Sequence, residues 1–377
     1  MEKRVVHIGG YNPQAMDGVS TALVGQCDAL HQLGVPLELW GFDPAISEVV
    51  EGFTPTGIPL VRLPRHRHPL RAVFSFPAAT KRWLRERLPG VGCFHLHSVF
   101  LPWNNLVADL GVHYVISPHG GWGPRVLKGR NRHAKAAWVF LRERRLWSRA
   151  RMVQAVSEAE KEELQDLGGI SGIRYIPNGV KLPPLPEDRG QRDLWLFLGR
   201  LAIEHKGLDR MLDAYAECRV RKPDLPKLVL AGPDFRGDEA IIRDQIQRLG
   251  LQGCVDLPGP VTGDEKQRLF ERASLFLHTS RWEGMPMSIL EAMAWEIPCL
   301  LTKGTMMVPA VTEAGAGFDA GDSVPEIVAA MEQASSADLP AMGRAARECV
   351  GKHFSWSTVA EKLAEVYRLR DGTLSKE

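Results

Sequence analysis

A chain of 377 residues is too long for one ordinary hydrophobic core, so two domains of about 180 residues each are expected. With 44% apolar and 24% charged residues it has the composition of a globular protein, which excludes disordered and fibrous classes. Its net charge of +2 conceals an asymmetry: residues 1–180 carry 22 Lys/Arg against 15 Asp/Glu, and residues 181–377 carry 25 against 30.

Arg4 to Ile8 reads as a first strand running into a glycine loop, which argues against a signal peptide, and no apolar run reaches the roughly 18 residues a membrane span needs. The loop reads Gly9-Gly10-Tyr11-Asn12-Pro13, then Asp17-Gly18-Val19-Ser20 ahead of a helix. A dinucleotide site would need Gly-x-Gly-x-x-Gly and an acid after the second strand. The glycine spacing is wrong, and Asp43, which does follow the second strand, reads as a turn residue. Further strands are expected at Leu37 to Trp40, Leu60 to Leu63, Phe94 to His97, Tyr114 to Ser117, Met152 to Val156 and Arg174 to Ile176, with helical periodicity between them. That alternation predicts a parallel sheet built from β-α-β units.

Two basic stretches supply the positive excess, Arg62 to Arg87 and Arg125 to Arg151. Neither carries a recognisable nucleic-acid module, so an anionic membrane surface or a phosphate-bearing acceptor is the expected partner rather than nucleic acid. In the second stretch ten Lys/Arg and one Asp/Glu interleave with Trp138, Phe140, Leu141, Leu146 and Trp147. Such interleaving suits a helix lying at an interface, and equally a helix that packs an apolar stripe on its own domain and solvates the basic face. His95 and His97 alternate along a strand and share one face, as core or as cleft wall. His119, in Ser117-Pro118-His119-Gly120-Gly121, follows a strand directly and is the candidate histidine for a cleft. Val156-Ser157-Glu158-Ala159-Glu160 starts a helix with a serine cap, and Ile176-Pro177-Asn178-Gly179-Val180 forms a turn.

Lys181 to Gly190 (K-L-P-P-L-P-E-D-R-G) has no apolar period and is the expected link between domains. Strands resume at Leu194 to Leu198, Leu228 to Ala231, Val255 to Leu257, Leu275 to Leu277 and Cys299 to Thr302, and Thr358 to Leu369 forms a last helical segment. After the first of these come Gly199-Arg200-Leu201 and Lys206-Gly207-Leu208-Asp209. A glycine after a strand lets backbone approach a ligand, and two cations before a helix suit a diphosphate, although a solvated loop would look the same. The fourth strand of this half leads into H-T-S-R-W-E-G-M-P-M-S-I-L-E-A-M-A-W-E-I-P, His278 to Pro298, with Glu283 in a loop and Glu291 in the first turn of a helix. Ser288 and Glu291 fit a capping box, which leaves Glu283 and Gly284 unexplained. The six cysteines are far apart without a Cys-x-x-Cys pair, as expected of a reduced cytosolic protein without structural zinc.

Glu-Gly-Met-Pro-x-x-Ile-Leu-Glu-Ala-Met-Ala, with Glu283 and Glu291 eight positions apart, resembles the Glu-x7-Glu signature of the retaining family 4 glycosyltransferases. The resemblance implies an α/β GT-B fold: two Rossmann-like, doubly wound parallel-sheet domains facing across a cleft. Residues 1–182 would form the acceptor-side domain, residues 191–356 the nucleotide-sugar domain, and a helix at about 357–377 would cross back. It implies a role for Glu283 beside the donor hexose and for Glu291 on the ribose, with Gly284 and Met285 next to the donor. Gly199-Arg200-Leu201 with Lys206-Gly207 is similar to the family's pyrophosphate motif, Gly18 to its N-terminal glycine loop, and His119 to its histidine beside the anomeric centre. The implied activity is transfer of a sugar from a nucleotide-diphosphate sugar to a lipid-linked or saccharide acceptor, with Arg200 and Lys206 in place of a metal and no other cofactor. The implied location is the cytoplasm, including the inner face of the membrane. After Ala294 the family has a small residue and a glycine where this chain has Trp295 and Glu296. A sugar-nucleotide epimerase on the same fold and a non-catalytic nucleotide-sugar binder are the rival readings.

Overall fold

The computed structural model describes residues 3–10, 18–123, 126–127, 131–187 and 190–368. Tyr11 to Asp17 of the glycine loop, Arg125, Lys128 and Arg130 of the basic stretch, and the part of the terminal segment after residue 368 lie outside the described residues. The chain divides into two compact units, Met1–Gly179 with Trp356–Glu377, and Val180–Ser355.

The first unit holds an eight-stranded sheet of β1 (Arg4–Ile8), β2 (Leu37–Asp43), β3 (Val50–Phe53), β4 (Pro59–Pro64), β5 (Val91–His97), β6 (Tyr114–Ser117), β7 (Met152–Ala155) and β8 (Ile173–Tyr175), in the order β3-β4-β2-β1-β5-β6-β7-β8. Among the described strands of this sheet only the β3–β4 pair is antiparallel. β3 has no counterpart in the expected strands because all four of its residues are exposed, and a strand without a buried face leaves no apolar pattern. The second unit holds a six-stranded parallel sheet of β9 (Leu194–Leu198), β10 (Lys227–Ala231), β11 (Val255–Gly259), β12 (Ala273–His278), β13 (Cys299–Leu301) and β14 (Gly317–Asp319), in the order β11-β10-β9-β12-β13-β14. Strands buried on both faces need continuous apolar runs, which is how Leu194-Trp195-Leu196-Phe197-Leu198 reads.

Both sheets reverse their order beside the first strand of the unit, between β1 and β5 and between β9 and β12. At such a reversal the two connections leave on opposite faces, and a crevice opens outside the carboxyl ends of the strands. Glycine loop and His119 follow β1 and β6. Gly199 follows β9, and Glu283 follows β12.

The terminal helix Trp356–Arg368 belongs to the first unit. Its Val359, Ala360, Leu363 and Ala364 are buried in one cluster with Leu23, Cys27 and Leu30 of the first helix, Gly18–Gln32. Trp356 wedges against two glycines, because a Cβ on Gly25 or on Gly179 would strike its indole. Gly25→Ala is therefore expected to destabilise the first unit by about 1–3 kcal/mol, the usual cost of overpacking. The double variant Gly25→Ala/Trp356→Phe should recover part of that loss in denaturant melts, and strictly additive costs would show that the two residues do not share this contact.

Candidate active site

In the second unit the loop after β9 and the loop after β12 are locked together. Gly199 leaves β9 with its N–H on the Ala231 carbonyl at 3.0 Å, and the carbonyl of Gly199 lies where a Cβ on Gly232 would stand. A short helix, Ile203–Lys206, ends at Gly207, whose φ of 64° and close approach to the Thr279 carbonyl leave no room for a side chain. Thr279 Oγ1 donates to the carbonyls of Lys206 and Gly207 at 3.2 and 2.9 Å. Arg281 grips the same loop, with both Asp209 carboxylate oxygens at 2.9 and 2.6 Å and the Glu204 carbonyl at 2.8 Å. The His205 ring stacks on Trp282 with centroids 4.9 Å apart, and its Nε2 lies 2.8 Å from the Trp282 carbonyl.

Glu283 sits where these loops meet, with 12% of its side chain exposed. Its Oε1 accepts from Lys206 Nζ at 2.5 Å and Ser280 Oγ at 2.7 Å, and the Nε2 atoms of His205 and His278 are each 3.5 Å away. Burial works against the carboxylate, yet Lys206 together with His278 and His205 outweighs it and holds the Glu283 carboxyl far below its ordinary range. Lys206 is itself 8% exposed, so neither partner can find water if the other is removed. Arg200 is different: it is exposed, with its guanidinium 5.1 Å from the centre of the Phe235 ring. The two cations of the sequence motif thus stand in unlike settings, one in a buried ion pair and one at the surface.

Gly284 and buried Met285 lead into the helix Met287–Ala294. The expected capping box is not present. The helix follows Pro286, which has no capping side chain, so Ser288 lies inside the first turn and Glu291 one turn further along. Glu291 Oε1 instead receives Lys266 Nζ at 2.7 Å, from the helix Gly263–Arg272.

In the first unit, His119 stands in the turn that ends β6. It adopts φ 52° and Gly120 φ 76°, two consecutive left-handed residues that a serine-proline-histidine-glycine run can tolerate only with glycine beside the histidine. Glu160 accepts from the N–H of Gly120 at 2.6 Å and of Val156 at 2.7 Å, which pins that turn to the helix Glu158–Leu167. Burial pushes the Glu160 carboxyl up to about 7. Ser157 caps this helix, accepting from Glu160 N at 3.0 Å, as the sequence suggests. Asp43 accepts from Ala45 N at 2.7 Å and pairs with Arg62, a turn role. Gly18 is the exposed first residue of its helix.

The family model for glycosyl transferases group 1 matches residues 186–347, and the model for glycosyltransferase family 4 matches residues 16–182. The chain belongs to glycosyltransferase family 4. It is 26% identical over 288 residues to a GDP-mannose:cellobiosyl-diphosphopolyprenol alpha-mannosyltransferase of Xanthomonas campestris, covering 74% of each chain. Among solved structures it is similar to sucrose-phosphate synthase from Thermosynechococcus elongatus, with a TM-score of 0.76 at 20% identity, covering 97% of this chain and 98% of that one. It is also similar to Anabaena HepE in complex with UDP and glucose, with a TM-score of 0.74 at 17% identity, covering 97% and 99%. These likenesses establish the GT-B fold.

The glycosyltransferase departs from its family at Trp295 and Glu296, and the geometry accommodates both. Glu296 takes φ 55°, the left-handed conformation for which a glycine is favoured, and Arg192 donates to the carbonyls of Trp295 and Glu296 at 2.9 and 2.6 Å. Trp295 stacks on Phe270 with ring planes 13° apart. Sequence reasoning left His205, His278, Ser280 and Arg281 of this family 4 enzyme without roles. The last three stand between the end of an apolar strand and Glu283, and that position at the sheet's reversal was the available signal.

Acid should loosen this loop pair in two stages. His278, depressed to about 4 by burial, contributes stability that is complete above its unfolded pKa of about 6.5 and is lost as the pH falls through 4. Glu283 also has a depressed folded pKa, so its contribution is complete above about pH 4.3 and is lost only below that. Glu283→Gln should accordingly be less stable than wild type at pH 7 in denaturant melts, with the gap narrowing once the pH drops below about 4. A gap independent of pH would show that the carboxylate charge is not what holds the loops.

Proposed function

We propose that this glycosyltransferase uses a nucleotide-diphosphate sugar as donor and transfers its hexosyl group, with retention and without a metal ion, to a hydroxyl of a lipid-linked or saccharide acceptor. The reading rests above all on the loop pair at the β9–β12 reversal, which sets Gly199, Arg200, Lys206, Glu283 and Gly284 around the carboxyl ends of two adjacent strands. A departing diphosphate needs positive charge, and Arg200 can hold its oxygens bidentately while Lys206 acts as a point charge shared with Glu283. Glu283 is assigned to the hexose and Glu291, on the neighbouring helix, to the ribose. Gly284 and Met285 are assigned to the donor sugar, Gly18 to the donor by its likeness to the family's N-terminal glycine loop, and His119 to the reacting end by its likeness to the family's histidine.

In the chemical step the acceptor oxygen forms a bond to the anomeric carbon as the bond from that carbon to the diphosphate oxygen breaks. The acceptor proton passes to the departing phosphate on the same face, which gives retention without a protein nucleophile. Removing either cation leaves diphosphate charge uncompensated, and a charge-assisted hydrogen bond is worth about 1.5–3 kcal/mol. Arg200→Ala and Lys206→Ala should each weaken nucleoside-diphosphate binding by roughly ten- to a hundred-fold in titration calorimetry. Turnover should survive EDTA. Unchanged affinity in both variants would remove the diphosphate assignment, and loss of activity on chelation with rescue by magnesium would remove the metal-free one.

The acceptor assignment has separate support. The Xanthomonas relative is named for a diphosphopolyprenol acceptor, and the first unit offers a matching surface for glycolipid or polysaccharide assembly on a membrane. Phe140 and Leu141 are 70% and 67% exposed in a π-helical turn, Val139–Glu143. Leu70 and Phe74 of the helix Pro69–Phe74 are 66% and 70% exposed, and Arg142 lies 5.1 Å over the Phe74 ring, which joins the two segments. The interleaved residues therefore divide: Leu146 and Trp147 are core, while Phe140 and Leu141 face outward beside cations. The π-turn turns Glu143 inward, where it accepts from the indoles of Trp122 and Trp138, both at 2.8 Å. No described helix is long and apolar enough to cross a membrane, and the attachment we assign to this surface is peripheral, at the cytoplasmic face. The triple variant Phe140→Ser/Arg142→Glu/Arg144→Glu should lose binding to anionic vesicles while keeping donor affinity, since each cation near such a surface is worth about 1 kcal/mol. Wild-type protein that ignores anionic vesicles at low salt would favour a soluble acceptor.

A further inference from the structure

Beneath His119, in the first unit, lies a group of polar side chains that the reading above does not use. His7 on β1 and His95 on β5 are register partners in adjacent parallel strands, and His97 lies two residues further along the same face. Ser117 on β6 is the register partner of His97, and Gln154 follows Val153, the partner of Ile116, on β7. One face of four neighbouring strands thus carries a line of polar groups, and all five are buried. Tyr367, from the terminal helix, closes over them.

Every ring nitrogen of the three buried histidines has a partner. His97 Nδ1 lies 3.3 Å from His119 Nε2, and His97 Nε2 lies 3.0 Å from His7 Nδ1. His7 Nε2 is 3.3 Å from the Tyr367 hydroxyl, which is 2.5 Å from His95 Nδ1. His95 Nε2 is 2.6 Å from Ser117 Oγ, which is 2.7 Å from Gln154 Oε1. Burial depresses His7 to about 3 and holds His95 and His97 well below their ordinary value, so all three rings are neutral and each has one donor and one acceptor nitrogen.

The far end of this series decides its direction. Gln154 Nε2 donates to the Ile176 carbonyl at 2.9 Å, a fixed acceptor, so Oε1 is the amide atom that faces Ser117. Ser117 must then spend its single proton on Gln154, for two oxygens 2.7 Å apart need a proton between them. Having done so, it can only accept from His95 Nε2–H. His95 Nδ1 is left as an acceptor and takes the Tyr367 proton. The Tyr367 oxygen accepts from His7 Nε2–H, His7 Nδ1 from His97 Nε2–H, and His97 Nδ1 from His119 Nε2–H. Among the described residues, each step follows from the one before once the Ile176 carbonyl is in place.

We propose that this one-directional series of hydrogen bonds fixes the ring orientation of His119 and keeps a proton on its Nε2. His7, His95, His97, Ser117 and Tyr367 are positioning residues. A backbone carbonyl at one end of the domain thereby sets the orientation of an imidazole at the mouth of β6, and the terminal helix is part of the device because it supplies the one hydroxyl that joins His7 to His95. The proposal takes from the functional reading that His119 takes part in the reaction.

The test begins with wild-type protein labelled with 15N-histidine. His7, His95 and His97 should each give the NMR signature of a neutral ring protonated on Nε2, and His119 should carry a proton on Nε2. Protonation of His7, His95 or His97 on Nδ1 would overturn the proposal. So would tight, stoichiometric uptake of Zn2+ by the same three residues, whose nearest nitrogens lie within 4.8 Å of one another. In Tyr367→Phe, His7 loses its acceptor and His95 its donor. His119 should then no longer be held with its proton on Nε2, and kcat should fall about ten-fold, the effect of one orphaned buried hydrogen bond, while the KM for the donor stays within about two-fold. Ser117→Ala should do the same and Ser117→Thr, which keeps the hydroxyl, should not. A Tyr367→Phe enzyme that folds and retains both kcat and the His119 signature would overturn the proposal. The NMR result also separates two failures. Ordered Nε2–H tautomers with a fully active His119→Ala enzyme would remove His119 from the reaction, and disordered tautomers would remove the relay whatever His119 does.

Discussion

A buried carboxylate must be paired, and much of the second unit follows from pairing one. Glu283 lies outside the carboxyl end of β12, beside the point where the strand order reverses, and its counter-ion comes from the loop after β9. For Lys206 to reach it, that loop must come close to the Thr279 carbonyl, which requires Gly207 in a left-handed conformation. Ser280 and His278 satisfy the same oxygen from the strand side, and Arg281 fastens Asp209 and the Glu204 carbonyl so that the approach persists. Each of these residues is a cost alone. Together they hold a negative and a positive group in place before any substrate arrives, which is the arrangement electrostatic catalysis requires.

The fold was legible because parallel strands covered on both faces must be apolar throughout, and the chain spells them out as short apolar runs between amphipathic segments. β3 escaped notice for the converse reason: it pairs antiparallel at an edge with every residue exposed. The placement of Glu283 and Lys206 in one loop pair could be anticipated, since strand ends and glycines mark where a chain turns over a crevice. Their direct contact could not, because nothing in a linear spacing of 77 residues records which cation a carboxylate faces. Glu291 was misplaced by a local rule. Ser-x-x-Glu describes a capping box only if the serine precedes the helix, and Pro286 starts the helix two residues sooner.

The histidines of the first unit show how a strand's two-residue period can be right and still say little. Alternation puts His95 and His97 on one face, but it cannot tell a solvated wall from a core. What decides is His7 in register on the adjacent strand and Tyr367, which lies 272 residues further along the chain than His95. A polar group of this size is tolerated in a core only if it is fully satisfied, and satisfaction in turn imposes an order on its protons.

The two units therefore answer the problem of buried polarity in opposite ways. In the second, charge is kept: Glu283 stays ionised because Lys206 stands against it, and the result is a strong local field at that loop. In the first, charge is refused: burial keeps His7, His95 and His97 neutral, and what they transmit is only the direction of a hydrogen bond. An ionised group at the mouth of β6 would change its field with every proton gained or lost. An imidazole held by this series presents an Nε2–H whose direction is set, in the end, by a backbone carbonyl.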